Sequence, residues 1–464
     1  MDDVAPAVAH AGRELRRLLQ GRKFLTATPD VGSAVGLALG LRALGADVMA
    51  MGAAPFDAAL RDDIPTLDLG LSARGIIGLL HAGESALDTV PASIIERIDA
   101  WDPTREARAA RALFSEGRPV AGRSAWGGRP KAWATFDDKT MIDALWDAAG
   151  VPRAPRQVVP AEAGALAAAH RQLDAGHGTV WAIDNREGWH GAAHGVRWVH
   201  DAATEVVATA FAQTQAHTVR VMPFLEGRPC SIHGLVFPGF VMVLRPCELV
   251  ILRDVAQGRF VYATASTTWD PPAEGRAAMR ALARQVGRHL AATHGYRGAF
   301  TIDGVWTADG FRPTELNPRY GAALGMIGSL VAPTLNLYAL HLALVEEEPA
   351  SWQPEALEAA LVDVADANRR TGSTVWLPGE TVERKDGALT QEGGGWRFVD
   401  DPEAAVVQVH TRIHPAGPIL RVHVEPSFLA PGAPVAPVLV SVIEFLNGAW
   451  SLGLPTLEAA PEAE

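Results

Sequence analysis

Three side chains with oxygen donors and one guanidinium occur close together near residue 310. Asp303 lies in one apolar run and Glu315 lies in the next. Asn317 and Arg319 follow Glu315 almost directly. Carboxylate and amide oxygens suit Mg²⁺, which proteins usually bind with one or two carboxylates together with substrate phosphates. A nearby guanidinium can stabilise charge on a transferring phosphoryl group. These residue types therefore favour metal-assisted phosphoryl transfer, and the alternative is an ordinary acidic pair on the exposed face of a hairpin.

A β-hairpin would bring these side chains together. The runs Ala299–Trp306 and Phe311–Leu316 are apolar, and the pair Asp309-Gly310 between them is typical of a tight turn. Asp303 and Glu315 would then lie on adjacent strands near one end of a sheet. The hairpin is therefore the element that must position the candidate metal ligands.

A lysine follows two aspartates just before a second informative segment. Only four of the 41 basic residues are Lys, so this position escapes a strong bias toward Arg. Asp138 is predicted to cap a helix that runs to about Ala149 and ends at Gly150. Lys139 would lie in the first turn of that helix, where its ammonium could bind a phosphate or remain in solvent.

The order of these segments resembles the ATP-grasp superfamily. The resemblance covers about residues 20–345 and rests on an open α/β domain followed by four segments. They are the Asp-Lys and helix segment DDKTMIDALWDAAGVP, the glycine-rich loop NREGWHGAAHG, the hinge MPFLEG, and Glu-x-Asn-Pro-Arg with an Asp twelve residues before the Glu. The resemblance implies the ATP-grasp fold, which combines α/β and α+β parts.

Three domains are predicted along the chain. An N-terminal open α/β (pre-ATP-grasp) domain is expected over residues 1–135, where Asp30 is a good cap for the helix Val31–Leu44 between two short strands. The ATP-grasp domain is expected over residues 136–345, with a mobile nucleotide-covering subdomain at about residues 150–220. A small α+β domain is expected over residues 346–464.

The resemblance also implies the roles of individual residues. Metal ligands would be Asp303, Glu315 and Asn317, which would hold Mg²⁺ or Mn²⁺. Catalytic cations would be Arg319 and Lys139. The residues expected to bind ATP are Lys139, Gly191, Gly195, Met222, Pro223, Phe224, Leu225 and Glu226.

The chain departs from the family pattern at one phosphate-binding position. The family usually has a second lysine on the strand before the glycine-rich loop, where this chain has Ala182. Arg186 or Arg197 could supply that charge instead. Arg245 and Arg253 are the basic residues of the following strands nearest the expected phosphate end, and each could bind phosphate or be structural.

Further elements are predicted from the pattern of apolar residues. Gly32, Gly36 and Gly40 recur every four residues, which favours close packing of a helix on a sheet or, alternatively, contact with a phosphate or substrate. An Ala-rich helix is predicted over Ile94–Phe114. The C-terminal segments predicted as strands are Thr374–Leu377, Trp396–Val399, Ala404–His410, Ile419–His423 and Val438–Leu446.

The bulk composition excludes several classes of protein. The chain has 464 residues and a net charge of −12 with pI near 5.7. A surface of that sign does not suit non-specific binding to nucleic acid or to anionic membranes. No apolar run approaches the ~18 uncharged residues of a membrane span, and no signal-peptide pattern is found. Two cysteines cannot form a disulfide framework, so a reducing cytoplasm is the expected location.

The activity implied by the resemblance is ATP-dependent ligation of a carboxylate to an amine through an acylphosphate, with release of ADP and phosphate. Small-molecule carboxylate and amine substrates are expected, with an amino acid or small peptide as the acceptor, and the protein could form a homodimer. Two alternatives are an ATP-grasp phosphotransferase with a stable phosphorylated product and an inactive ATP- or ligand-binding protein.

Overall fold

A computed structural model describes residues 5–54, 64–111, 117–186 and 188–460 of the protein. Within these ranges the chain forms three β-sheets with helices packed around them. The three sheets lie inside the three predicted domain ranges, and the ranges themselves stay a prediction.

The first sheet is a parallel sheet with flanking helices. Its strands are β1 (Lys23–Asp30), β2 (Asp47–Ala54), β3 (Thr66–Asp68), β4 (Arg108–Arg111) and β5 (Ala125–Trp126), and the helices are α1 (Pro6–Leu19), α2 (Val31–Ala43), α3 (Gly75–Asp88) and α4 (Ala92–Trp101). The strand order is β3-β2-β1-β4-β5. As predicted, Asp30 caps α2, because its carboxylate accepts a hydrogen bond from the Ser33 backbone N–H at 2.8 Å.

The prediction of one helix over Ile94–Phe114 was wrong. The helix α4 ends at Trp101, and the buried strand β4 follows it. The Asp102 carboxylate accepts hydrogen bonds from the backbone N–H groups of Glu106 and Ala107, which fixes a turn after the helix. The last part of the predicted helix lies outside the described residues.

The second sheet is antiparallel and carries the predicted hairpin. Its strands are β6 (Gln157–Pro160), β7 (Thr179–Ile183), β8 (Val196–Val199), β9 (Thr218–Pro223), β10 (Arg228–Phe237), β11 (Phe240–Val243), β12 (Cys247–Asp254), β13 (Arg259–Ser266), β14 (Gly298–Thr307) and β15 (Gly310–Asn317). The order is β15-β14-β10-β12-β13-β8-β7-β9-β6, and β11 pairs with β10. The helices near it are α5 (Lys131–Ala134), α6 (Ile142–Ala148), α7 (Ala163–Leu173), α8 (Ala202–Gln215), α9 (Ala273–His294), α10 (Ala322–Ser329), α11 (Leu337–Val345) and α12 (Pro354–Ala367).

The third sheet lies near the C-terminus. Its strands are β16 (Ser373–Trp376), β17 (Asp386–Glu392), β18 (Gly395–Phe398), β19 (Val407–His414) and β20 (Gly417–Val424), in the order β16-β20-β19-β17-β18. The turn between β19 and β20 rests on the first sheet's helix α3, where the Gly75 N–H donates to the Ala416 carbonyl at 2.8 Å.

The predicted strand Val438–Leu446 is instead part of α13 (Ala436–Trp450). The β-branched composition of this run favoured a strand, but its buried positions have a helical period. Leu439, Val442, Ile443 and Leu446 are all buried, at spacings of three, one and three residues. The helix buries this stripe against the third sheet and β12.

A buried glutamate joins α13 to the second sheet. The Glu248 side chain on β12 accepts hydrogen bonds from the backbone N–H groups of Val435 at 2.7 Å and Ala436 at 3.1 Å. These N–H groups lie at the start of α13, where no carbonyl of the helix is available to accept their hydrogen bonds. Burial raises the pKa of Glu248 from the usual 4.5 to about 7, although the two N–H donors oppose the shift.

The contribution of Glu248 to stability is therefore expected to fall as pH rises. A carboxyl group whose folded pKa exceeds its unfolded value stabilises the fold fully below about pH 4.5 and loses that contribution as pH rises through about 7. The loss amounts to roughly 3 kcal/mol, since one pKa unit corresponds to about 1.4 kcal/mol. Urea unfolding of the wild type and of Glu248→Gln at pH 5 to 8 measures it. A difference in free energy of unfolding that does not change with pH contradicts the assignment.

Candidate active site

The hairpin β14–β15 places two carboxylates side by side. Asp303 and Glu315 are paired across the two strands, and the register shifts between Asp303 and Gly304. The Asn317 amide donates to Asp303 Oδ2 at 2.8 Å. Asp303 Oδ1 is buried and has no hydrogen-bond partner among the described residues. Burial, and then the nearby Glu315 charge, raise the pKa of Asp303 to about 7.

This donor set fits a hard divalent cation. An orphaned buried carboxylate oxygen beside a second carboxylate is costly without a cation between them. In the described part of the chain no group of three or more His, Cys, Asp or Glu side chains could hold a metal. The Asn317 carbonyl oxygen would therefore complete the set with Asp303 and Glu315, and three oxygen donors suit Mg²⁺.

The predicted phosphate lysine pairs with one of these carboxylates. Lys139 Nζ lies 2.8 Å from Glu315 Oε1. Lys139 is not in a helix as predicted, because α6 begins only at Ile142. Asp138 caps a turn instead, accepting hydrogen bonds from the Thr140 N–H at 2.8 Å and from the Asn185 N–H at 3.1 Å. The second bond ties the lysine turn to the start of the glycine-rich loop.

Arg319 is held at the same end of the hairpin. Its guanidinium forms an ion pair with Asp137 and donates to the Asn317 side-chain oxygen at 2.5 Å. Asp137 is buried and is also paired with Arg129 at 2.6 Å. The Trp189 ring of the glycine-rich loop lies 5.1 Å from the guanidinium carbon. These contacts fix the direction of a cation beside the two carboxylates.

A cavity of about 860 Å³ opens over this hairpin and holds most of the predicted site residues. Of the predicted residues, the cavity is lined by Lys139, Gly191, Met222, Phe224, Leu225, Asp303, Glu315, Asn317 and Arg319. Gly195, Pro223 and Glu226 are not among the lining residues. The Glu226 side chain is exposed and lies 3.3 Å from His177. The proposed roles of all twelve residues stay predictions.

The structure brings a cation to the position opposite Ala182. Arg220 on β9 pairs with Ala182 on β7, and both line the cavity. Asp143 on α6 is bonded to the Arg220 guanidinium at 2.7 and 2.8 Å. Arg186 and Arg197, the two predicted substitutes, do not line the cavity. Sequence analysis missed Arg220, although an arginine inside the apolar run TVRVMP was a usable signal.

The two other candidate arginines differ in position. Arg245 is fully buried and pairs with Asp270 at 2.6 Å and with Asp366 at 3.1 Å, so it is structural. Arg253 lines the cavity and is paired with Glu458 at 3.3 Å. The phosphate-binding role of Arg253 stays a prediction.

The glycine-rich loop lies against α3, a helix of the first sheet. The Trp189 carbonyl accepts a hydrogen bond from His81 Nε2 on α3 at 2.8 Å. His190 is buried, and neither ring nitrogen has a partner among the described residues. Burial, with smaller contributions from His194 and Lys139, lowers the pKa of His190 to about 4. Trp189, Gly191, Ala192 and Ala193 of this loop line the cavity, whereas the neutral His190 imidazole does not.

The comparisons with known proteins give matches to solved structures and none to sequence families. No family model and no curated protein matches the sequence. The chain superimposes on an N5-carboxyaminoimidazole ribonucleotide synthetase solved with ADP, with TM-score 0.53 and 12% identity over 93% of this chain and 98% of that one. An L-amino acid ligase from Bacillus licheniformis gives TM-score 0.51 and 13% identity over 96% and 100%.

A third solved structure extends the comparison to the carboxylases. The biotin carboxylase domain of the Hydrogenobacter thermophilus 2-oxoglutarate carboxylase, solved with MgADP, ADP and bicarbonate, gives TM-score 0.51 and 13% identity over 92% of this chain and 90% of that one. The chain therefore has the fold of the ATP-grasp superfamily, which confirms the predicted fold class. None of the described helices is long and apolar enough to cross a membrane.

Proposed function

We propose that the protein is an ATP-dependent carboxylate–amine ligase that works through an acylphosphate and releases ADP and phosphate. The observation that carries this proposal is the group formed by Asp303, Glu315, Asn317, Arg319 and Lys139 at one end of a large cavity. A cavity of about 860 Å³ falls in the range of small-molecule sites. Two carboxylates and two cations at its wall suit phosphoryl chemistry.

The nucleotide would lie across the second sheet, from Met222 on β9 to the hairpin β14–β15. Met222, Phe224 and Leu225 give an apolar wall for the adenine. Lys139 and Arg220 line the cavity, and their charges would bind the phosphates. Glycines of the loop, with Gly191 among them, allow backbone N–H groups to approach the phosphates closely. A ribose contact by Glu226 would require its side chain to leave His177.

Asp303, Glu315 and Asn317 would hold the divalent cation, as Mg²⁺ or Mn²⁺. When bound, the cation neutralises charge on the β- and γ-phosphates. Lys139 pairs with Glu315 in the structure. When ATP binds, the ammonium of Lys139 would leave this carboxylate and contact a phosphate oxygen. The Asn317 amide would continue to orient Asp303 through the bond between them.

The chain's own residues would then position and stabilise the reacting groups. A substrate carboxylate attacks the γ-phosphorus, the bond to the bridging oxygen breaks, and ADP leaves. The amine next attacks the acyl carbon, loses a proton, and expels inorganic phosphate. Arg319 stabilises the negative charge of both steps from its fixed place beside Asn317. The loop with Trp189 excludes water, which would otherwise hydrolyse the acylphosphate.

Product analysis with ATP and Mg²⁺ tests this function. The wild type is incubated with pooled carboxylates and amines, and ADP, AMP, phosphate and pyrophosphate are quantified, with an EDTA-treated sample as control. We expect equal amounts of ADP and phosphate, only in certain pools and only with the metal. AMP with pyrophosphate contradicts the acylphosphate route. A stable phosphorylated product would show a phosphotransferase, and ATP binding without turnover in any pool would show a binding protein.

A further inference from the structure

A second and much smaller cavity adjoins Arg319. Arg111 at the end of β4, Arg129 just before α5 and His341 on α11 also line it. Its volume is about 10 Å³, which is the room that a single water-sized particle needs. Phosphate, sulfate and carboxylate groups are too large for this space. The occupant that fits is therefore a water molecule or a monatomic ion.

The wall of the small cavity presents positive charge and hydrogen-bond donors. The guanidinium groups of Arg111, Arg129 and Arg319 line it, and no Asp or Glu is among the described lining residues. His341 is neutral near pH 7, because burial, and then the charge of Arg129, lower its pKa to about 3. Its Nδ1 accepts a hydrogen bond from the Ala299 N–H at 3.0 Å, so Nε2 carries the ring proton and is a donor. The occupant must therefore accept hydrogen bonds.

Arg129 is the residue that most needs such an occupant. It is only 7% exposed, and its Nε and Nη1 are buried without a hydrogen-bond partner among the described residues. These two atoms carry most of the N–H donors of the guanidinium. The remaining nitrogen, Nη2, lies 2.6 Å from Asp137 Oδ2. Buried donors of a charged group cost free energy when they have no acceptor, so an acceptor beside Nε and Nη1 would stabilise the fold.

Arg111 brings a further donor to the same cavity. Its Nη2 is paired with Glu84 at 2.6 Å, and its Nη1 lies 3.4 Å from Asp88. Its Nε is buried and has no hydrogen-bond partner in the described part of the chain. A water molecule would accept hydrogen bonds from these groups, but only an anion also offsets the cost of burying the Arg129 charge.

We propose that the small cavity is a halide site, that chloride is its occupant, and that Arg129, Arg111 and His341 donate hydrogen bonds to the ion. The size of the cavity selects a monatomic anion, and its all-donor wall selects an anion over a cation. Of the residues proposed to bind metal and nucleotide, only Arg319 lines this cavity. The halide site is therefore separate from the site proposed for ATP.

A bound halide would also act on Arg319. Asp137 is shared between two guanidinium groups, because its Oδ2 is paired with Arg129 and its Oδ1 with Arg319. An ion that fixes Arg129 therefore fixes Asp137, and through Asp137 the cation assigned to the acylphosphate steps. Arg129 and Asp137 are positioning residues in this scheme. This effect rests on the proposed ligase function, whereas binding of the ion does not.

Two substitutions test the halide site without changing a residue proposed to bind metal or nucleotide. Arg129→Gln removes the guanidinium that has the most unsatisfied donors. Val345→Ile adds one methylene to a residue that lines the cavity and leaves every guanidinium in place. Because the cavity has room for one small particle, the added methylene is expected to fill it. If Arg129→Gln does not fold, Val345→Ile still tests the site.

Each substitution has a matched control. Arg284→Gln removes a guanidinium that is also partly buried and ion-paired, at 2.5 Å from Glu358, but lies outside the small cavity. Val362→Ile adds the same methylene to a buried valine of α12, again outside the cavity. Thermal unfolding of all four variants shows whether each is folded.

The ³⁵Cl NMR linewidth of sodium chloride measures binding to the full-length protein, because a chloride ion held in an asymmetric site relaxes faster than one in solution. Sodium gluconate keeps the ionic strength constant, and its anion is too large for the cavity. We expect the protein to broaden the line and sodium bromide to reverse the broadening. Arg129→Gln and Val345→Ile should each weaken chloride binding by at least about tenfold, and the two control variants should match the wild type.

Three results would overturn the halide site. Absence of broadening would show that the cavity holds water. Gluconate that reverses the broadening as well as bromide does would show that the ions bind at the surface. Wild-type chloride affinity in both Arg129→Gln and Val345→Ile would place the ion elsewhere.

The effect on Arg319 has its own measurement. The kcat for ADP release should rise when chloride replaces gluconate at constant ionic strength, and Arg129→Gln should abolish this dependence on chloride. A purely structural role of Arg129 would leave the dependence unchanged. Chloride binding without any change in kcat would refute the positioning of Arg319. Chloride binding by a protein that never releases ADP would instead refute the ligase function and leave the halide site standing.

Discussion

Replacing Glu315 with glutamine is expected to lower metal-dependent kcat by about 100-fold or more while the protein stays folded. The substitution keeps the shape of the side chain and removes one of the two carboxylates that would hold the cation. Loss of one such electrostatic contact in an active site costs about 3 kcal/mol or more. The melting temperature should change little, because the variant also loses the repulsion between Glu315 and the buried Asp303. Steady-state ADP release at saturating ATP and varied Mg²⁺ measures the effect.

Asp309→Asn is the control for this experiment. Asp309 lies at the tip of the same hairpin, and its side chain is 85% exposed. It should retain wild-type turnover and the same dependence on Mg²⁺. If Glu315→Gln also turned over at the wild-type rate, Glu315 would not be a metal ligand, and the role assigned to the pair with Asp303 would be wrong.

Asp143→Ala is expected to lower the free energy of unfolding by about 3–5 kcal/mol. Asp143 and Arg220 are both almost fully buried, and the guanidinium makes two hydrogen bonds to the carboxylate. Arg156 lies 3.0 Å from the same carboxylate. Removing the acid leaves buried positive charge without a partner, which is among the most destabilising changes in a protein interior. Urea unfolding at pH 7 measures the loss.

A double substitution separates the structural role of this pair from binding. Asp143→Leu with Arg220→Met replaces two buried charges by apolar side chains of similar size, so most of the stability should return. ATP affinity should nevertheless stay at least about tenfold below that of the wild type, because the cation opposite Ala182 is gone. Wild-type ATP affinity in the double variant would show that Arg220 is only structural.

The part of the site that is built from residues close together in the chain could be predicted from the sequence. The turn pair Asp309-Gly310 and two apolar runs fix a hairpin, and a hairpin fixes which residues face each other. Asp303 and Glu315 are paired as expected for that reason. The sequence of α9 (Ala273–His294) has a long amphipathic stripe, which is a strong local signal for a helix.

The parts that depend on the order of strands could not be predicted in this way. Arg220 reaches the cavity because β9 pairs with β7, and nothing in the sequence near Arg220 specifies that neighbour. Asp30 was recognised as a helix cap from local pattern, but its place in the cavity wall depends on how the first sheet lies against the second. The segment Val438–Leu446 was misassigned as a strand because β-branched composition outweighed a period of about 3.6 residues.

The turn between β19 and β20 has a consequence for how a ligase of the proposed kind would diversify. Ala416 packs with Ala54 and Leu79, and His414 reaches the cavity beside Asp30, so residues more than 300 positions apart in the chain meet at one wall. The middle of the chain supplies the residues proposed to bind phosphate and metal, whereas its two outer parts supply this wall of the cavity. Changes in either outer part would therefore alter this wall and leave the proposed metal and phosphate residues unaltered.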